Sequence, residues 1–455
     1  MIKNRVQLVE NGGVYRQLRA DVCDILEAAL EAVDPEQSIF NSLRLDGEIL
    51  FYEGGQIDLS EVYRVFVIGG GKAGGLMARA VETLLGDHIT AGYINILKGT
   101  EKAVTLKKIK LNGAQHPTPS GDGVAGVEKM LQITENLNEN DLVITLISGG
   151  GSSLMPLPAE GISLGDLQSI TGSLLRAGAT INELNAVRKH LSGFKGGLLA
   201  RHCYPARVLS LILSDVIGDP LDTIASGPTA PDSTTYSDAL NILKKYDLLG
   251  DAPISVKKRI TDGVAGAIPE TPKEGDPVFK RVTNLVIANN SIAAEAAKRK
   301  STELSYNSMI LSTYVEGEAR VVGSTLAGVA KEILYKDRPI GKPASIIVGG
   351  ETTVTVKGKG KGGRNQELAL GASMKITGLP CVVAALGTDG IDGPTVAAGA
   401  IVDGETITKA KEKEIDPLVF LAENDSYSFF EKLSDCIITG PTGTNVNDLT
   451  VILIR

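Results

Sequence analysis

Five short stretches of this chain combine glycine with side chains able to handle anions, protons or metal ions. In Gly69-Gly70-Gly71-Lys72-Ala73-Gly74, an apolar run ends in a tight turn and a helical pattern begins. Free N–H groups at a helix start, with one added cation, make an anion site; the alternative is a packing turn with a solvated lysine. The spacing satisfies G-x-G-x-x-G, but a dinucleotide fingerprint also needs an acidic residue at the end of the second strand. That strand ends in Leu97-Lys98, so the dinucleotide reading loses its key support, although a lysine there could tolerate a 2′-phosphate. Nor is this a Walker phosphate loop, since Ala73 replaces the required Ser or Thr and Phe66 the first Gly.

The second stretch, Ser148-Gly149-Gly150-Gly151-Ser152-Ser153, offers consecutive backbone donors and hydroxyls, a composition that cradles phosphate or carboxylate. In the third, Asp215, Asp219 and Asp222 supply hard oxygen ligands that suit Mg²⁺, and equally suit Asx turns and helix caps. The fourth, Gly358–Glu367, reads as a mobile basic loop running into a helix. Its Arg364 offers a planar fork for carboxylate or phosphate, and its glycines would let the loop close over an anion. In the fifth, Gly387-Thr388-Asp389-Gly390, Asp389 either takes a proton from a hydroxyl or closes a turn. His116, in His116-Pro117-Thr118-Pro119, touches a ligand or holds the turn. No His/Cys pair has zinc spacing, and no G-x-S-x-G elbow is present.

Most of these stretches follow an apolar run. Val65–Ile68, Tyr93–Leu97, Leu142–Ile147 and Val208–Leu213 read as buried strands alternating with helices, the pattern of a parallel sheet covered on both faces. In such sheets ligands bind beyond the carboxyl ends of the strands. Leu18, Val22, Ile25, Leu26, Ala29, Leu30 and Val33 predict a first amphipathic helix that stops at Asp34-Pro35. The Pro- and charge-rich stretch 268–277 reads as a linker between an N-terminal domain over 1–265 and an α/β domain over 280–455. Part of the C-terminal segment is allowed to pack back on the first domain. Beyond 280, strands are expected at Leu285–Ala288, Ser308–Leu311, Ser345–Val348 and Cys381–Leu386. The Thr-Val-Thr-Val alternation predicts one more, half-exposed or antiparallel, over 351–357.

Length and composition set the frame. A chain of 455 residues exceeds the roughly 250–300 at which one core stops growing, so two domains are the default. Glycine is 52 of 455, roughly 11% against about 7% in ordinary proteins, and it clusters in turns. The net charge of −8 argues against nucleic acid or an anionic membrane as partner, and the absence of Trp removes a base-stacking platform. Four scattered cysteines, Cys23, Cys203, Cys381 and Cys436, point to a reducing compartment and buried thiols. With no apolar h-region and no run of about 18 apolar residues, a soluble cytoplasmic protein is expected.

Nine stretches, in order, resemble the glycerate 2-kinases, the class of glycerate kinases with a MOFRL-type C-terminal domain. They are VIGGGKAGG (67–75), HPTPS (116–120), ISGGGSSL (147–154), LNAVRKHLSGFKGG (184–197), LSDVIGDPLDTIASGPT (213–229), GGETTV (349–354), GGRNQELAL (362–370), GTDGIDGPT (387–395) and TGPTGTNVNDL (439–449). The resemblance implies a Rossmann-like N-terminal domain, a smaller mixed α/β domain, and an active site in the cleft between them. It implies phosphorylation of D-glycerate at its 2-hydroxyl by ATP with Mg²⁺. The family's functional lysine and arginine map onto Lys72 and Arg364. Gly70, Gly71, Ser148, Gly149, Gly150, Gly151, Ser152 and Asn185 are then expected to bind substrate or nucleotide. Asp215 or Asp219 is expected to hold the metal, and Asp389 to act on the hydroxyl. Two other readings stay open: an NAD(P)H-dependent hydroxypyruvate reductase, and a non-enzymatic phosphometabolite-binding protein. A homodimer is also left open.

Overall fold

The computed structural model describes residues 1–455, which divide into two compact units. One comprises Pro35–Ile287; the other joins Met1–Asp34 to Ala288–Arg455. The first 34 residues therefore belong with the C-terminal half rather than with the domain that follows them in sequence. Their hold is physical. The helix Arg16–Ala32 buries Leu18, Val22, Ile25, Leu26, Ala29 and Leu30, the apolar face its periodicity predicts. Its Arg19 is fully buried, with Nε donating to Asp403 Oδ2 at 2.7 Å and Nη1 to Asp435 Oδ1 at 2.5 Å. Tyr306 Oη donates to Asp21 Oδ2 at 2.6 Å from the same half.

The 35–287 unit is built on a six-stranded sheet: β1 (Val65–Gly70), β2 (Ile89–Leu97), β3 (Ile109–Ala114), β4 (Leu142–Ile147), β5 (Arg207–Leu213) and β6 (Val282–Ala288). The spatial order is β3-β2-β1-β4-β5-β6, with parallel pairing throughout from β3 to β5. This is the dinucleotide-fold order, in which the chain reverses direction across the sheet between β1 and β4. At that switch point the carboxyl ends are in register, Gly70 opposite Ile147 and Asn95. Both β1 and β4 are buried along their whole length, so their apolar runs carry no alternation. A separate antiparallel sheet, Leu43–Asp46, Ile49–Tyr52 and Gly55–Asp58, precedes β1.

The expected linker over 268–277 is instead packed into this unit. Thr271 Oγ1 donates to the buried Asp232 at 2.9 Å, and Glu270 accepts the Tyr236 N–H at 2.9 Å. The strand after it, β6, completes the first sheet rather than opening a new one. Proline and charge mark irregular backbone there, not a free connection.

The other unit holds a mixed sheet of β7 (Asn307–Val315), β8 (Ala344–Gly350), β9 (Cys381–Gly387), β10 (Gly399–Asp403), β11 (Cys436–Ile437) and β12 (Asp448–Ile454), in the order β7-β8-β12-β9-β10-β11. The last strand runs antiparallel between β8 and β9, so that Asp448 faces Gly350 on one side and Gly387 on the other. No strand forms over 351–357. Only an isolated bridge links Thr353 to Glu318, and the Thr355 N–H is taken by the Glu318 carboxylate. The alternation was present, but no strand lies alongside to use it.

Candidate active site

At the β1–β4 switch point two glycine turns are fastened to each other. The N–H groups of Gly71, Lys72 and Ala73 donate to Asn95 O (3.1 Å), Gly149 O (2.9 Å) and Ser148 Oγ (3.1 Å). Ser148 N–H returns a bond to Gly70 O at 3.3 Å. The Lys72 turn is therefore not the open set of donors expected of it, because two of these amides are spent on holding the second turn and one on β2. Gly71 is required at this junction. Its φ is +146°, and a Cβ there would lie 2.1 Å from Ser148 Oγ.

The second turn is where donors remain. Gly149, Gly150 and Ser152 N–H form no backbone bond, while Gly151 N–H closes onto Ser148 O at 3.1 Å. Gly150 is left-handed, with φ +79°. Against its α-carbon lie the Lys72 stem and the His116 ring, within 3.3 and 3.1 Å of where a Cβ would stand. Lys72 is exposed and makes no ion pair. Burial, and then the Lys72 charge, hold His116 below its ordinary pKa, so it faces the turn as neutral imidazole at neutral pH. The Asp215 carboxylate packs on the far flank, 2.3 Å from a Cβ position on Gly149. Asp219 is left-handed (φ +56°), its N–H donating to Val216 O at 3.1 Å. No group of three His, Cys, Asp or Glu side chains has the arrangement of a metal cage.

A hydroxyl–amide chain ties this turn to the helix Ile181–His190. Ser152 Oγ lies 2.8 Å from Ser226 Oγ, and Ser226 Oγ donates to Asn185 Oδ1 at 3.0 Å. Ala225 and Ser226 are both left-handed, with φ of +51° and +63°, a local strain that aims the Ser226 hydroxyl between its two partners. Behind the turn, Asn95 Nδ2 donates to Leu154 O (2.7 Å) and Gly123 O (2.9 Å). Asn95 carries no motif-level signal, and Ser226 lies within the 213–229 stretch without being singled out there; only the assembled sheet reveals their positions. Lys98, at the end of β2, is occupied by Asp122 at 2.8 Å on the surface.

In the other unit, Arg364 opens the helix Arg364–Ile376. Its Nη2 donates to Asp448 Oδ1 at 3.0 Å, its Nε lies 2.6 Å from Asp448 Oδ2, and its Nη1 donates to Glu351 Oε1 at 2.6 Å. Each Nη nitrogen keeps a second hydrogen directed elsewhere. Burial raises the Asp448 pKa to about 7 against the pull of Arg364, and the two carboxylates hold the arginine firmly charged. Asp392 supplies the helix cap that Gly363 cannot, accepting the N–H groups of Asn365 (3.0 Å) and Gln366 (2.8 Å). Asp389, at the end of β9, accepts the Ile391 N–H at 3.1 Å and so closes a turn.

The expected mobile loop before Arg364 is tied down. Asn424 Oδ1 accepts the Lys357 and Gly358 N–H groups, and Asp425 Oδ1 accepts Lys361 N–H. A Cβ on Gly358 would meet Glu423 backbone at 2.2 Å. Those glycines serve close approach, not closure.

Two family models match this chain: a domain of unknown function, DUF4147, over residues 21–261, and the MOFRL family over 344–448. The chain is 43% identical to a glycerate 2-kinase of Pyrococcus horikoshii, covering 94% of this chain and 95% of that one. It is 42% identical to a D-glycerate 2-kinase of Thermotoga maritima, covering 95% and 97%. A provisionally named hydroxypyruvate reductase of Agrobacterium vitis is 39% identical over 94% of this chain and 93% of its own length. The crystal structure of a Thermotoga maritima glycerate kinase superposes with a TM-score of 0.87 at 41% identity, covering 96% of this chain and all of that one.

Proposed function

Because this chain belongs to the glycerate 2-kinase family, with its DUF4147 and MOFRL parts, we propose that it phosphorylates D-glycerate at the 2-hydroxyl, with ATP as donor. The observation that carries the reading is the turn after β4. Three N–H donors without backbone partners stand beside the unpaired Lys72 at the switch point of a dinucleotide-type sheet. Such a site suits phosphoryl oxygens.

In the proposed reaction the 2-hydroxyl oxygen forms a bond to the γ-phosphorus. The bond from that phosphorus to the β–γ bridging oxygen breaks, and ADP departs with its electron pair. Lys72 and the 149–152 donors bind and neutralise an anionic group. Arg364, preorganised by Glu351 and Asp448, offers its remaining Nη hydrogens to a second. Asp389 accepts the hydroxyl proton. Mg²⁺ normally takes only one or two protein carboxylates and completes its shell with water and phosphate oxygens. Asp215, packed against Gly149, fits that sparse donor set, with Asp219 as the second candidate. A bound Mg²⁺ would neutralise phosphate charge there.

The test is direct. The purified protein with D-glycerate, ATP and Mg²⁺ is expected to release ADP, and ³¹P NMR is expected to show 2-phosphoglycerate. Absence of ADP overturns the proposal, and 3-phosphoglycerate corrects its regiochemistry. An arm with hydroxypyruvate and either NADH or NADPH addresses the reductase name; no oxidation is expected, since the β2 end lacks an acidic ligand for a ribose 2′-hydroxyl and its Lys98 is already paired with Asp122.

A further inference from the structure

The helix Ile181–His190 opens with a capping box, Thr180 with Glu183, and carries three polar residues on one face. Asn185 reaches Ser226, and Lys189 Nζ pairs with Asp222 at 3.1 Å and Asp232 at 3.3 Å. Between them stands Arg188, one turn from Asn185 on the same face. It is half-buried, yet no carboxylate, carbonyl or hydroxyl accepts from it, and its burial disfavours the charge. A guanidinium carries five donors and cannot shed its proton, so leaving it desolvated and unpaired is expensive.

A second cation adds to that cost. Lys195 is 2% exposed, and its Nζ has a single partner, Met155 O at 3.0 Å. Burial first, and then repulsion from Arg188, depress its pKa to about 7. Met155 follows directly on the turn whose Gly149, Gly150 and Ser152 amides remain open, and its side chain packs against Gly70 and Gly151. The helix that carries Arg188 is thus tied to that turn through Asn185–Ser226–Ser152, and Lys195, which feels the Arg188 charge, is tied to it through Met155. Two neighbouring cations, one buried and one half-buried, have no carboxylate between them in a chain of net charge −8, and lack only a negative group.

We infer that Arg188, backed by Lys195, is a binding residue for an oxyanion of the substrates that presents two oxygens to its fork, a carboxylate or a phosphate group, beside the turn after β4. Arg188 makes the contact through its fork. Lys195 acts through the field it adds and through its hold on Met155, which makes it a positioning residue. The assignment rests on the kinase reading, in which both the acceptor acid and the nucleotide bring such a group.

Steady-state kinetics of Arg188→Gln and Arg188→Lys test it, with wild-type turnover of D-glycerate and ATP as the separate test of the kinase reading. Arg188→Gln is expected to raise one KM at least tenfold, that of D-glycerate if the anion is the carboxylate, that of ATP if it is phosphate. The other KM is expected to stay within twofold. Arg188→Lys restores part of the loss, since a point charge lacks the fork. The melting temperature of Arg188→Gln is expected to be unchanged or higher, because no partner is stranded; a structural arginine would lower it. Unchanged kcat and KM in both variants overturn the inference. If wild type shows no turnover of D-glycerate, the kinase reading fails and inorganic pyrophosphate becomes the probe. Calorimetric binding weakened tenfold in Arg188→Gln then supports the site, and equal or absent binding overturns it.

Discussion

Lys72 stands against Gly150 with no carboxylate of its own, whereas Arg364 is held by two. One cation is free to follow a ligand; the other is fixed in advance, which lowers the reorganisation needed at the moment of reaction. Lys72→Ala is expected to lower kcat by about 10²–10³-fold on a folded protein, by analogy with loss of a preorganised donor. Turnover near normal in that variant would move the chemistry elsewhere. Lys195 gives a pH signature. Its folded pKa of about 7 lies below the ordinary lysine value near 10.4, so the unfolded chain binds more protons between those values. Stability therefore rises with pH across that window, and the cost of burying the charge is complete below about pH 7. Lys195→Met removes that dependence. Urea unfolding at pH 7, 8.5 and 10 is expected to show the variant gaining most on wild type at pH 7, with the difference shrinking as pH rises; a constant difference would contradict it. The four cysteines are free and buried, with thiols pushed up to about 12, and no chemistry is assigned to them.

At the scale of elements, helix starts and strand ends do the positioning. The helix Arg364–Ile376 begins where it does because Asp392 caps it from a distant loop, and a Cβ on Gly363 would overlap that carboxyl at 2.2 Å from Cγ. Asp392→Ala strands two buried N–H groups and is expected to cost about 1–3 kcal/mol per unsatisfied donor, with a lower kcat as Arg364 loses its fixed aim. Denaturant unfolding and kinetics on one preparation check both. The helix Arg16–Ala32 is pinned by Arg19 between Asp403 and Asp435. Burial alone would lift Asp435, and Arg19 opposes it. Arg19→Ala leaves both carboxyls without their counter-ion, so a loss of about 3–5 kcal/mol is expected in urea unfolding at pH 7. The loss is expected to be smaller in mild acid, where Asp435, raised by its burial, takes up a proton.

For the whole molecule, the first 34 residues fold with the C-terminal half, and a prediction follows. A fragment of residues 288–455 is expected to lack a cooperative unfolding transition, because the partner of Asp403, Asp435 and Tyr306 is missing. Adding a peptide of residues 1–34 is expected to restore one, read by circular dichroism; a cooperative transition without the peptide would refute the dependence. Much of the fold was legible beforehand. Apolar runs and glycine turns are local signals, and they located β1, β4, β5 and the helix Arg16–Ala32. Glycine turns with Lys72 and Ser148 were legible for the same reason. No helix proves long and apolar enough to cross a membrane. Strand partners were not legible: the 351–357 alternation found none, and the 268–277 stretch proved packed, because pairing and packing depend on residues far away in the chain. The sequence by itself determined which residue types gather at strand ends and hence the class of chemistry. Only the tertiary structure decided which N–H donors stay open, which cations are already paired, and that Arg188 is not, because satisfaction of a polar group is a property of its neighbours rather than of its own identity.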